Sequence, residues 1–186
     1  MNIKFAVLAA IASGAMFAGV CQAKDYHWTF DKSNTLSPYP RDARSQIKLV
    51  KDAAAGAQAL AIENIVGKGV TVYSFLEVPE QAGTVKISLY QKMIAENPAD
   101  AKFNFTFYYN KKKGKQGSAG PKLVKVIEGA KDWKLENIEN PVPAAAAHIQ
   151  MLISVSGKVA KTLFIDELKT KFVPNTPAEA AVPAGK

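Results

Sequence analysis

The chain has little of the chemistry on which most enzymes depend. It contains one cysteine, Cys21, two histidines, His27 and His148, and neither a Gly-x-Ser-x-Gly nor a His-Glu-x-x-His motif. Its acidic residues lie mostly in predicted turns or at strand ends, so no two carboxylates are expected to face each other across a cleft, as glycoside hydrolysis requires. We therefore expect the protein not to be an enzyme.

The chain also lacks a disulfide, because its only cysteine falls in a predicted export signal. Residues 1–23 combine a basic Lys4, an apolar run and small residues at Cys21 and Ala23, which is the pattern of a secretory signal peptide. Cleavage after Ala23 removes the cysteine, so the mature chain must fold on its apolar core alone. We expect a secreted or periplasmic protein that is not inserted in a membrane.

Basic residues outnumber acidic ones, 24 to 16, and loss of Lys4 with the signal leaves a mature net charge of about +7. Such a surface favours anionic partners such as acidic polysaccharide, and export argues against nucleic acid as a target. The densest basic run is residues 111–115, which we interpret as a solvated hairpin loop rather than a specific anion site.

Helical periodicity is scarce, and short stretches rich in β-branched and aromatic residues recur between Gly, Pro and Asn turn signals instead. The predicted strands are residues 58–65, 70–78, 84–93, 102–110, 122–127 and 133–138, followed by two closing strands within 148–169. Short strands at this spacing predict an all-β fold, an antiparallel β-sandwich or barrel.

The two closing strands carry the clearest pattern. Residues 148–155 alternate polar and apolar side chains, and after a turn at Gly157 a second apolar run begins at Leu163. This predicts an antiparallel pair with one buried and one solvated face. Asp166 interrupts the second run, and a buried carboxylate needs a partner or a metal ion.

Period-two alternation also sorts side chains by face. In residues 102–110, Phe103, Phe105 and Phe107 share a face that we predict to be buried. The side chains predicted on the opposite, polar faces of three strands are Ser88 and Tyr90, then Asn104, Thr106 and Tyr108, and finally His148, Gln150 and Ser154.

Between residues 56 and 173 several landmarks follow in a recognisable order. They are G-x-x-x-L-x-I from Gly56, VTVYSFLEV from Val70, GTVKISLY from Gly83, FNFTFYY from Phe103, the lone Trp133, HIQMLISVSG from His148 and FIDEL from Phe164. This order resembles that of carbohydrate-binding modules of family 4/9. The resemblance implies a galactose-binding-like jelly roll that binds polysaccharide, although residues 24–50 lack the family's Asn-rich opening with its Phe-Glu pair.

A carbohydrate site needs flat apolar platforms for sugar rings and planar polar groups for hydroxyls. If the three strands are neighbours, Tyr90 and Tyr108 are candidates to stack on sugar rings, while Asn104, Gln150 and His148 are candidates to bind hydroxyls. The alternatives are that the tyrosines are cross-strand packing partners and that His148 is a structural histidine.

The same resemblance implies that Asp166, in the last strand, helps to hold a structural Ca²⁺. Because Ca²⁺ takes six to eight oxygen ligands, Asp31 and Glu63 are candidates for further ligands. The alternative is that Asp166 forms a salt bridge with a lysine or caps a turn at the sheet edge.

The sequence thus predicts a signal peptide (1–23), a β-sandwich domain (24–173) and a disordered Pro- and Ala-rich tail (174–186). The predicted function is non-catalytic binding of polysaccharide or oligosaccharide. The alternatives are a structural or adhesion subunit with the same fold and, more remotely, a polysaccharide lyase built from His148, Gln150, a tyrosine and Arg41 or Arg44. The pattern does not indicate an oligomeric state.

Overall fold

Two antiparallel β-sheets pack face to face as a jelly-roll β-sandwich, which confirms the fold class predicted from the sequence. The structure is a computed structural model that describes residues 24–33, 35–39, 41–65, 68–111 and 122–175. The predicted signal peptide, most of the lysine-rich loop and residues 176–186 lie outside these ranges. In the described part of the chain, no helix is long and apolar enough to span a membrane.

The strands are β1 Tyr26–Trp28, β2 Ser37–Tyr39, β3 Ile47–Val50, β4 Ala59–Asn64, β5 Val70–Glu77, β6 Gly83–Ala95, β7 Lys102–Asn110, β8 Leu123–Glu128, β9 Lys134–Val142, β10 His148–Val155 and β11 Lys161–Pro174. Two short 3₁₀ helices, Arg41–Gln46 and Pro98–Asp100, precede β3 and β7. The strand β11 ends at Pro174, which is the first residue of the predicted tail.

The five-stranded sheet has the order β2-β5-β10-β7-β8. The six-stranded sheet has the order β3-β4-β11-β6-β9, and its sixth strand, β1, also pairs with β11. In the six-stranded sheet β11 is long enough to pair with β4 along its first half and with β1 along its second half. All of these pairings are antiparallel, so one face of each sheet packs on the core and the other faces outward.

The core lies between the sheets and confirms the facing predicted for β7 and β10. Phe103, Phe105 and Phe107 are fully buried, and the buried apolar residues of β10 alternate with half-buried ones that are polar except for Leu152. Buried hydrogen bonds also join the sheets: the Tyr109 hydroxyl on β7 donates to Asn140 Oδ1 on β9 at 3.0 Å. The buried aromatic ring of Tyr109 also stabilises the core, because its burial removes a large apolar surface from water.

The expected pairing of the two closing strands with each other is wrong. β10 pairs with β5 and β7, whereas β11 belongs to the opposite sheet. Residues 156–160 cross between the sheets, and Asn64 Nδ2 anchors this link by donating to the Val159 carbonyl at 2.9 Å. The link is longer than a two-residue hairpin turn and can span the roughly 10 Å between stacked sheets, so alternation alone could not decide the partner.

Residues 24–50, which depart from the family pattern, add the short strands β1, β2 and β3. Trp28 on β1 is buried in the core and stacks on Tyr26, with ring centroids 5.6 Å apart. The Tyr26 hydroxyl accepts a hydrogen bond from the Glu77 backbone N–H, so this segment contacts both sheets. Pro38 lies in β2 at the edge of its sheet, where its missing N–H breaks no ladder.

Candidate functional site

The outer face of the five-stranded sheet brings together four of the five predicted sugar-binding residues. Asn104 and Tyr108 lie on β7, and His148 and Gln150 lie on the neighbouring strand β10. Gln150 is directly opposite Tyr108 in the register, and all four side chains are half-buried. Directly opposed side chains on one face lie within contact distance of each other.

β5, on the other side of β10, adds two aromatic residues that the sequence analysis did not select. Phe75 lies opposite Gln150, and Tyr73 lies opposite Leu152. The two rings contact each other edge to face, with centroids 5.9 Å apart. The sequence VTVYSFLEV places these two rings on the face opposite Val70, Val72 and Leu76, which face the core. Because both faces of this strand carry apolar side chains, alternation alone did not show which face is the outer one.

A row of side chains, Phe75–Gln150–Tyr108, therefore crosses three strands of this outer face. Two rings flank a planar amide, and their strands are separated by two strand spacings, roughly 10 Å. The next rows along the strands are Tyr73–Leu152–Thr106 and Thr71–Ser154–Asn104. We call the residues of these three rows the sheet platform.

The borders of the sheet platform are also exposed. Tyr39 on the edge strand β2 lies opposite Thr71 and is 66% exposed. On the other edge, Val126 of β8 lies opposite Asn104 and is 61% exposed. Lys122, just before β8, places its Nζ 5.8 Å from the centroid of the Tyr108 ring.

His148 lies at one end of the sheet platform, opposite Glu77 on β5. Its Nδ1 is buried and has no hydrogen-bond partner among the described residues. A buried imidazole nitrogen without a protein partner calls for an ordered water. The ring as a whole is half-buried at the end of the sheet platform, and its contact with a sugar hydroxyl remains a prediction.

Tyr90 is not part of this face, so the assumption that its strand neighbours the other two is wrong. β6 lies in the six-stranded sheet, where Tyr90 is opposite Asp166 and Leu135 on the outer side of the sandwich. The alternation within β6 was interpreted correctly, but it does not specify which sheet a strand joins. A role for Tyr90 in sugar binding therefore requires a separate site.

A groove of about 620 Å³ does lie on the outer face of the six-stranded sheet, across β1, β11, β6 and β9. Much of its charge is already paired. Lys86 Nζ lies 3.1 Å from Glu139, and Lys169 Nζ lies 2.7 Å from Glu167, which also binds His27 Nε2 at 2.6 Å. Tyr26, whose aromatic ring lines this groove, stacks on Trp28. The groove thus lacks the open aromatic surface of the sheet platform.

Asp166 is fully buried, and backbone N–H groups surround its carboxylate. Oδ2 accepts hydrogen bonds from Ala54 and Ala55 at 3.1 and 2.9 Å, and Oδ1 accepts one from Glu167 at 2.8 Å. Burial raises the pKa of Asp166, and the three N–H groups offset only part of that rise. The carboxylate fastens the loop between β3 and β4, as the turn-cap alternative supposes.

The other two proposed calcium ligands have partners of their own. Asp31 Oδ1 accepts from the Ala57 N–H at 2.6 Å, and Glu63 pairs with Lys48 Nζ at 3.0 Å. Within the described ranges, no three His, Cys, Asp or Glu side chains come together as a metal site. Backbone N–H groups thus already supply hydrogen-bond partners to both oxygens of the Asp166 carboxylate. The calcium site itself remains a prediction.

No family model and no curated protein sequence matches this chain. Among solved structures, the enzymatically active domain of tailspike protein 4 of bacteriophage CBA120 has a TM-score of 0.56 at 9% identity over 84% of this chain. The present chain spans only 20% of that tailspike chain.

Two carbohydrate-binding modules are similar to a slightly lesser degree. The C-terminal family 22 module of Clostridium thermocellum Xyn10B has a TM-score of 0.50 at 17% identity, covering 78% of this chain and 91% of that chain. A family 16 module has a TM-score of 0.50 at 14% identity, covering 69% and 85%. At these identities the similarity establishes a jelly roll like that of carbohydrate-binding modules, and family 4/9 in particular is not established.

Proposed function

We propose that this protein binds polysaccharide without cleaving it, and that the sugar chain lies on the sheet platform. The observation that carries the proposal is the row Phe75–Gln150–Tyr108, in which a planar amide lies between two aromatic rings. Aromatic faces pack against the C–H faces of sugar rings, and an amide both donates to and accepts from hydroxyls.

The geometry of the fold supports the same location. A sheet face is long enough for several consecutive sugar units, and its polar positions Asn104, Ser154 and Thr106 lie beside the rings. The Thr71 and Ser154 hydroxyls are 2.8 Å apart and bind each other, which leaves the amides of Gln150 and Asn104 as the main polar groups for a ligand. The similarity to carbohydrate-binding modules supports the class of ligand.

We further propose that the protein is exported and acts outside the cytoplasm, where polysaccharides are found. The predicted signal in residues 1–23 supports this location.

Affinity-gel electrophoresis of the mature protein against a panel of neutral and acidic polysaccharides tests the proposal. We expect retardation by at least one of them, and loss of that retardation in the Phe75→Ala variant. If no glycan retards the wild-type protein, the structural or adhesion subunit is the better account. Release of unsaturated oligosaccharides during incubation would instead support a lyase and refute non-catalytic binding.

A further inference from the structure

Lys122 and Tyr108 form a corner of the sheet platform that differs chemically from the rest. The Lys122 side chain is exposed, and its ammonium lies over the Tyr108 ring at 5.8 Å from the centroid. None of the described carboxylates pairs with it, whereas Lys102 at the opposite corner of the same sheet pairs with Glu128 at 3.1 Å. A cation–π contact at an exposed site is weak, so a ligand can displace the ammonium from the ring face.

Few negative charges lie near this corner. Among the outward positions of the five-stranded sheet, the described carboxylates are Glu77, on β5, and Glu128, which is already paired with Lys102. The mature protein also carries an excess of basic residues, which attracts anionic polymers over a distance of about one Debye length. The local and the overall charge therefore favour an anionic ligand.

We propose that the polysaccharide is acidic, and that the Tyr108–Lys122 corner binds a uronate unit. This inference rests on the proposed function of the sheet platform. The sugar ring stacks on Tyr108 and moves the Lys122 ammonium to the rim of the ring, where it pairs with the carboxylate of the uronate. A neutral sugar makes the same stacking contact but has no group for the ammonium.

Polygalacturonate and its methyl ester are a matched pair of probes, because they share a backbone and differ in charge. We would measure their dissociation constants, and that of alginate, for the mature wild-type protein and for Lys122→Gln. Lys86→Gln is the control, since it removes one positive charge from the opposite sheet. We expect the wild-type protein to bind a polyuronate more tightly than the ester. In Lys122→Gln, the affinity for polyuronate alone should fall by about two- to five-fold, which is the contribution of one exposed ion pair. The loss should shrink as salt is added.

Three results would overturn this inference. The first is equal affinity of the wild type for the acid and the ester. The second is an equal loss of affinity for both probes in Lys122→Gln. The third is a loss of affinity in Lys86→Gln as large as that in Lys122→Gln, which would indicate an effect of overall charge alone. A fourth result, failure to bind either polyuronate, would overturn it as well. If a neutral glucan is then bound in a manner that depends on Tyr108, the proposed function stands while the acidic ligand is refuted.

Discussion

Asp166 shows how a buried charge is accommodated without a countercharge. Three backbone N–H groups, from Ala54, Ala55 and Glu167, supply the hydrogen bonds that water would otherwise give. Glu167 adopts a left-handed backbone conformation, with φ of 48°, at the irregularity that shifts the pairing of β11 with β6. The left-handed conformation of Glu167 interrupts the regular strand, so that the neighbouring Asp166 carboxylate points toward the loop between β3 and β4.

We predict that Asp166→Asn lowers the free energy of unfolding by about 1–3 kcal/mol, because one carboxylate oxygen is replaced by an amide group that cannot accept the N–H bonds. Denaturant titration measures this change. If these N–H groups are the partners of Asp166, a chelator leaves the melting temperature of the wild type unchanged.

The calcium prediction makes the opposite forecast for the same experiment. A bound ion stabilises the native state by mass action, so a chelator would lower the melting temperature of the wild type and leave that of Asp166→Asn unaltered. That outcome would show that Asp166 ligates calcium and would refute the purely backbone-capping account.

At the scale of single elements, β7 connects the core to the proposed site. Its phenylalanines face inward, and Phe105 contacts Phe103 and Phe107 with centroids 6.0 Å away on each side. Its alternate residues, Asn104 and Tyr108, face outward onto the sheet platform. Burial of one face therefore fixes the orientation of the other.

We predict that Phe105→Ala lowers the free energy of unfolding by about 3–5 kcal/mol, because it leaves a cavity in the centre of the sandwich. Val126→Ala, on the exposed side of the neighbouring strand, is the control and should change stability by about 0.5 kcal/mol or less. Urea titration of both variants provides the measurement. Similar small changes in both would mean that the facing of β7 is inverted.

Alternation and turn signals predicted β4 to β11, but not β1 to β3, and for β7 and β10 they also predicted the side that is buried. They could not predict that β6 and β7 join different sheets, because the same pattern is compatible with either partner. β1 and β2 are three residues long each, too short for a period to be detected. The residues of the candidate site were therefore anticipated only in part: Tyr108, Asn104, Gln150 and His148 lie on one face, Tyr73 and Phe75 beside them were not selected, and Tyr90 lies on the other sheet.

At the scale of the whole molecule, the two outer faces of the sandwich differ in character. The six-stranded sheet presents paired charges, such as Lys86 with Glu139, the loop between β3 and β4, and two rings, Phe164 and Trp133, that the Lys92 ammonium contacts. The five-stranded sheet presents aromatic rings and amides. The charges of the first face are largely paired within the protein, and this contrast supports our proposal that the ligand binds on the second face.

We predict that the exported protein begins at Lys24, because small residues occupy Cys21 and Ala23 in the predicted signal. N-terminal sequencing of protein recovered from the periplasm or medium measures this directly. A lipid attached to Cys21 would contradict it, since the protein would then be anchored to a membrane.

The central claim is that sugar binds on the sheet platform, and calorimetric titration of Tyr108→Ala tests it most directly. Removal of one stacking ring is expected to cost about 1–3 kcal/mol, taking base stacking as the nearest guide, so the dissociation constant for the retained polysaccharide should rise about ten-fold or more. The melting temperature should change little, and Tyr90→Ala, on the opposite sheet, should bind like the wild type. Unchanged binding by Tyr108→Ala together with weakened binding by Tyr90→Ala would contradict the account and place the site on the six-stranded sheet.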